Sequence, residues 1–204
     1  MRRTFDDFLT QVNLALGNRQ DITQTHRGQL VNDALNKVAN MYEHRTLQDI
    51  VQVQIAQSSD FGLLSDTVNF SWIDNVKDLQ TGRPVYPGDR DKMEGVVKRL
   101  GSPGRFYTWG LQIFIDTLAD VPHTLKIWYV KIPDEWKSGP SVLEEVYDPL
   151  IGLWAQRLGM LAVRDYDEAN ALGKEIGMYT SGHRFPTREQ KYNDHGTSIV
   201  VRQR

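Results

Sequence analysis

The chain has 204 residues, 40 % of them hydrophobic and 25 % charged, a balance that suits a globular protein with a sizeable core. Its 24 Lys and Arg against 26 Asp and Glu leave a net charge of −2, so the overall basic character of nucleic-acid binders is missing and any phosphate binding has to be local. With no cysteine, disulfides, thiolate catalysis and cysteine-containing zinc sites are excluded.

The basic start Met1-Arg2-Arg3-Thr4 runs into Phe5-Asp6-Asp7-Phe8 rather than an apolar stretch, and no later run approaches a membrane span. An unprocessed soluble protein with no membrane contact is expected. Thr4 suits an N-cap, with Asp6 and Asp7 in the first turn. Phe5, Phe8, Leu9, Val12 and Leu16 then fall on one helical face, which predicts a first helix over about 4–17. A second helix, capped by Asp21 or Thr23 and running over about 22–44, carries Leu30, Val31, Ala34, Leu35, Val38, Ala39 and Tyr42. Neither helix buries its face alone, so the pair packs antiparallel under a third element, the helix near the C-terminus.

From Leu47 to Ala56 the pattern alternates, as it does again around Val68, Phe70 and Trp72, which predicts strands. Val76-Lys77-Asp78-Leu79 and Pro84-Val85-Tyr86 flank a turn at Thr81-Gly82, and Pro84 marks an edge. Asp89 caps a predicted helix from Arg90 to Leu100, with Met93, Val96, Val97 and Leu100 as its packed side and Gly101 as its stop. Three strand patterns follow between Gly104 and Pro133, centred on Phe106 and Thr108, on Leu111, Ile113 and Ile115, and on Leu125, Ile127 and Tyr129. They read as a meander that forms the core, with Pro122 in its last connection. Asp148-Pro149 opens a long helix over about 149–177, whose stripe is Leu150, Ile151, Trp154, Leu158, Leu161, Ala162, Ala169, Leu172 and Ile176.

The expected fold is therefore α+β. An N-terminal helix pair and a long C-terminal helix form a bundle, beside a small antiparallel β-sheet and hairpin region over about 47–132. Residues 1–179 make a single domain, and 180–204 make an extended C-terminal arm. The arm carries five Lys and Arg against two Asp and Glu, a local net of +3, and cannot fold by itself.

No constellation for chemistry is visible in this pattern, so no cofactor, metal or catalytic residue is assigned. His26, His44, His123, His183 and His195 are scattered without metal-binding spacing and read as surface or capping residues. Glu144-Glu145 and Asp165 with Asp167 read as solvated charge, because near neighbours on a helix do not face each other. Gly101-Ser102-Pro103-Gly104 lacks the spacing of a phosphate loop. Phe106, Tyr107 and Trp109 read as core, since Lys and Arg are not interleaved on their face as in single-strand binders.

Several stretches together carry a resemblance: Leu16 to Arg19, Val31-Asn32-Asp33-Ala34, Gly104-Arg105-Phe106-Tyr107-Thr108-Trp109, Leu125 to Pro133, and Tyr147-Asp148-Pro149-Leu150-Ile151. In this order they resemble the adaptor, or head-completion, proteins of the head–tail connector in tailed bacteriophages, over about residues 1–177. The family often has Pro-x-Pro between the second and third strands of the meander, where this chain has Leu118-Ala119-Asp120-Val121-Pro122. The resemblance implies a non-enzymatic structural protein of the virion that reaches the head–tail interface from the host cytoplasm. It also implies a homo-oligomeric ring, commonly of twelve copies, held between the portal protein and the next tail or head-completion protein, with DNA in transient contact as it passes.

Two expectations follow. The hairpin region from Asp74 to Asp89 lines the DNA channel with mixed charge, so that DNA slides instead of sticking. The arm binds the portal through Arg184, Phe185, Arg188, Lys191, Tyr192, Ile199, Val200, Val201 and Arg202, its β-prone Ile199-Val200-Val201 adding to a sheet edge of the partner. The alternative is a small nucleic-acid-binding module in which Arg90, Arg99, Arg105 and the arm contact phosphate; a hydrolase with an unrecognised site is a third class.

Overall fold

The computed structural model describes residues 2–17, 19, 21–42, 44–65, 68–183 and 185. Among them are five helices, α1 (Phe5–Leu16), α2 (Gln24–Met41), α3 (Arg90–Glu94), α4 (Asp148–Ala162) and α5 (Tyr166–Gly182). The strands are β1 (Gln48–Ile55), β2 (Phe61–Leu63), β3 (Phe70–Asp78), β4 (Tyr86–Pro87), β5 (Leu100–Gly101), β6 (Arg105–Trp109), β7 (Gln112–Ile115), β8 (Leu118–Ala119) and β9 (His123–Lys131). These elements fall into two compact units, a helical one of residues 2–47 and 132–185 and a β unit of residues 48–131.

In the helical unit, α1 opens on a capping box in which the Asp7 carboxylate accepts from Thr4 N at 2.7 Å and Thr4 Oγ1 at 2.8 Å. The Thr23 hydroxyl caps α2 by accepting from His26 N. The buried residues of α1 are Phe5, Phe8, Val12 and Leu16, at helical spacing. Helix α4 packs against α1, α2 and α5. It lets α1 come close through two glycines: a Cβ at Gly152 would sit 2.7 Å from Gln11 Oε1, and one at Gly159 would sit 3.3 Å from Leu16 Cδ2. The incoming segment after residue 131 is tied down by Trp136. Its ring meets Phe5 and Phe8 edge-on, and Asn32 exchanges two hydrogen bonds with its backbone.

One long C-terminal helix does not form. The stretch expected to be continuous is broken into α4 and α5 by a turn in which Arg164 takes a left-handed conformation (φ 62°) and Asp165 caps the next helix by accepting from Glu168 N at 3.2 Å. The apolar stripe lapses between Ala162 and Ala169, so nothing there holds the chain helical against the cap. Helix α5 then folds back on α4, burying Ala169, Leu172 and Ile176, and runs to Gly182, three residues into the segment expected as an arm.

The small sheet with a hairpin is corrected as well. The β unit has three sheets, with strand orders β1-β9-β3, β2-β7-β6-β4 and β5-β8. The stretch from Gly104 to Pro133 is not one meander, because β6 and β7 form a hairpin in the second sheet while β9 lies between β1 and β3 in the first. The inner faces of both share a core that includes Ile55, Val76, Phe106, Ile113, Ile115, Leu125 and Ile127. Pairing of β4 with β6 and of β5 with β8 is parallel. The predicted helix to Leu100 stops at Glu94, and Leu100 becomes a strand residue.

Candidate interaction surface

Cross-strand partners share a face of a sheet, which sorts the second sheet cleanly. Phe106, Ile113 and Ile115 point to the core. Phe61, Phe114 and Tyr107 form one row on the opposite face, and Leu63, Gln112 and Trp109 form the next. Phe114 stacks on Tyr107 with centroids 4.8 Å apart and rings 5° from parallel, and Phe61 tilts against Phe114 at 5.9 Å.

Residues 90–98 are pinned to groups of this sheet at three points four residues apart. The Arg90 guanidinium lies 3.5 Å above the Trp109 ring, Glu94 Oε1 accepts from Tyr107 Oη at 2.9 Å, and Lys98 Nζ donates to Asp60 Oδ2 at 2.6 Å. Glu94 also accepts from Arg90 Nε at 2.8 Å. Burial, reinforced by the Glu94 hydrogen bond, pushes the Tyr107 phenol up to about 12, so it stays a donor. Between the second and third pins lie Val96, 65 % exposed, and Val97, 90 % exposed. With Leu63 and Leu100 also about two-thirds exposed at 66 % and 67 %, the β unit presents a set of large apolar side chains to its surroundings. Sequence reasoning missed this surface. It placed Val96, Val97 and Leu100 on the packed side of a helix that ends too early to bury them, and it did not see that Arg90 and Arg105 share a sheet face with Trp109.

The reading of two of the histidines is also corrected, while His26 and His183 are exposed. His44 and His123 are buried, not surface residues. His123 Nδ1 lies 3.0 Å from Asp78 Oδ2 and Nε2 lies 2.9 Å from Asp120 Oδ1, so both nitrogens meet carboxylates. Burial alone would lower the His123 pKa, but the bonds to Asp120 and Asp78 outweigh it and raise it. Asp78 is fully buried and also accepts from Thr81 and from Gln80 N, which closes the turn at Thr81-Gly82. Burial raises its pKa, and these bonds together with His123 bring it below the usual range. His44 Nδ1 lies 2.9 Å from Glu144 Oε2, and Glu144 Oε1 accepts from Arg45 N, so Glu144 is structural rather than merely solvated. Neither imidazole offers a vacant nitrogen to a substrate proton.

Of the predicted portal-binding residues, Phe185 is described. Its ring lies among Tyr42, Tyr147, Tyr179 and His183, with centroids 4.9–5.9 Å away. Arg184, Arg188, Lys191, Tyr192, Ile199, Val200, Val201 and Arg202 lie outside the described residues. Phe106 is buried in the core and Tyr107 is buried on the opposite face of the sheet, whereas Trp109 is 59 % exposed beneath Arg90. No helix among the described residues is long and apolar enough to cross a membrane, and among them no group of three or more His, Asp or Glu side chains is arranged so that it could hold a metal ion. The sequence matches no known protein-family model and no curated protein.

Proposed function

We propose that this chain is a non-enzymatic structural protein of a tailed-phage virion, an adaptor whose copies form a ring between the capsid portal and the tail and surround the passing DNA. The observation that carries the reading is the pinned surface of the β unit. Val96 and Val97 are held out on a stretch fixed by an ion pair, a phenol–carboxylate bond and a cation–π contact, and Leu63 and Leu100 add exposed apolar side chains in the same unit, as a surface built for a protein neighbour does. The two buried histidines, each taken up by carboxylates, support a structural over a catalytic role. On this reading the β-unit surface and the segment after α5 both meet the portal, the region from Asp74 to Asp89 faces DNA with mixed charge, and the ring has about twelve members as the family resemblance implies.

The test is Val97→Asp in the full chain. Retained thermal stability with loss of co-sedimentation with the assembled portal supports the reading, and unchanged co-sedimentation counts against it. The alternative nucleic-acid-binding module relies on Arg90, Arg99, Arg105 and the arm, and of these Arg90 is already engaged by Trp109 and Glu94. Duplex or single-stranded DNA shifted by the isolated protein in a salt-sensitive manner favours that alternative.

A further inference from the structure

The helical unit carries two surfaces of opposite character. The first is a groove of about 600 Å³ between the end of α1, α4 and the start of α5. Its floor is Leu16, Met160, Val163 and Leu172, and its rim carries Asp165, Asp167 and Glu168, with Arg19 as the one opposing cation among the described lining residues. The second lies on α2 and α4, where Trp154 is flanked by two cations. Lys37 Nζ is 5.3 Å from one of its ring centroids and Arg157 Cζ is 5.0 Å away. Neither cation has a carboxylate partner among the described residues. Trp154 is nine-tenths buried, and its Nε1 and Arg157 Nε are buried donors for which no acceptor is found among the described residues. Met41, one turn beyond Lys37 on α2, is 36 % exposed and adds apolar surface.

The two surfaces lie on different sides of α5. Leu172 lines the groove, while its neighbour Gly173, about 100° round the helix, is where Arg157 rests: a Cβ there would meet Arg157 Cζ at 3.3 Å. A chain that carries an acidic, apolar-floored groove and a separate unpaired cationic ridge is complementary to a copy of itself, head to tail. Such contacts repeat until they close into a ring.

We propose that the groove receives the Lys37–Met41 ridge and Arg157 of a second copy, and that this is the contact between neighbours in the ring. Lys37 and Arg157 meet the Asp165, Asp167 and Glu168 carboxylates, and Met41 reaches the apolar floor. The inference rests on the ring reading and adds which surfaces meet. Lys37 and the acidic rim are exposed, so these charges set partner choice and register more than raw affinity.

Charge reversal tests it in the full chain, alone over a concentration series and with the assembled portal, by mass photometry. Lys37→Glu with Arg157→Glu is one variant, and Asp167→Lys with Glu168→Lys is the other. Each alone is expected to raise the concentration for half-assembly at least tenfold while keeping the helical circular dichroism of the parent. Mixed in equal amounts they are expected to assemble to within about threefold of wild type, because every contact in an alternating ring is then complementary. Wild-type assembly by either variant alone, or no recovery on mixing two folded variants, overturns the pairing and leaves the ring reading standing. A wild-type chain that remains monomeric both alone and with portal overturns both.

Discussion

The imidazole of His123, at the start of β9, lies 3.0 Å from the carboxylate of Asp78, at the end of β3, and neither side chain is exposed. This pair, completed by Asp120, fixes the turn at Thr81-Gly82 to the central strand of the first sheet. Its stability contribution depends on pH in a definite sense. The raised pKa of His123 makes its contribution full below the ordinary histidine value of about 6.5 and lost as pH rises through the folded value. The lowered pKa values of Asp78 and Asp120 make theirs present above the ordinary carboxylate value of about 3.9 and lost as pH falls through the folded values. His123→Asn is expected to cost about 3 kcal/mol near pH 5.5 and less at pH 9. Urea denaturation at both pH values checks this, and an equal or larger cost at pH 9 refutes it.

Gly62 in β2 has no room for a methyl group. A Cβ there would collide with Val53 Cγ1 and fall 2.8 Å from the Gln54 carbonyl oxygen, and the backbone oxygen cannot swing away. Gly62→Ala is expected to destabilise by about 1–3 kcal/mol through overpacking, read as a fall in melting temperature. A change within about 0.5 kcal/mol would show that β2 moves freely to admit the methyl group.

Arg164 holds a left-handed backbone (φ 62°) at the break between α4 and α5. Arg164→Val places a β-branched residue there and is expected to cost about 1–2 kcal/mol, whereas Arg164→Gly is expected to cost nothing. If both substitutions are equally harmless by chemical denaturation, the turn is not what separates the two helices.

Removing residues 186–204 is expected to leave the helical and sheet signals in circular dichroism intact and to abolish binding to portal. Keeping Phe185 matters, because its ring sits against Tyr42, Tyr147 and Tyr179 in the helical unit. Unchanged portal affinity of the truncated chain moves the portal contact onto the folded units.

How far the sequence could be read depended on whether the signal was local. The i, i+3, i+7 spacing of Phe5, Phe8 and Val12 and the caps Thr4 and Thr23 mark α1 and α2 directly, and alternation marks β1 and β9. The break between α4 and α5 also has a local signature: Asp165 followed three residues later by Glu168 has the spacing of a capping box. Its signal was masked by the apolar residues that resume at Ala169. Strand partners are a different matter. Alternation shows that Ile113 and Ile127 each face a core but not that β9 lies between β1 and β3, since pairing is decided by contacts far apart in the chain. The same holds for the candidate surfaces. Lys37 and Trp154 are 117 positions apart, and the fate of Val97 depended on α3 ending at Glu94, where Gly95 and the pin from Lys98 to Asp60 take over.

The central claim is that many copies of this chain form one ring on a portal. Mass photometry of the full chain bound to its assembled portal, with class-averaged electron micrographs of the same sample, tests it most directly. The expected result is a closed annulus coaxial with the portal whose added mass corresponds to about twelve copies, as the resemblance implies. A single copy per portal ring, or no stable complex at all, would contradict the account.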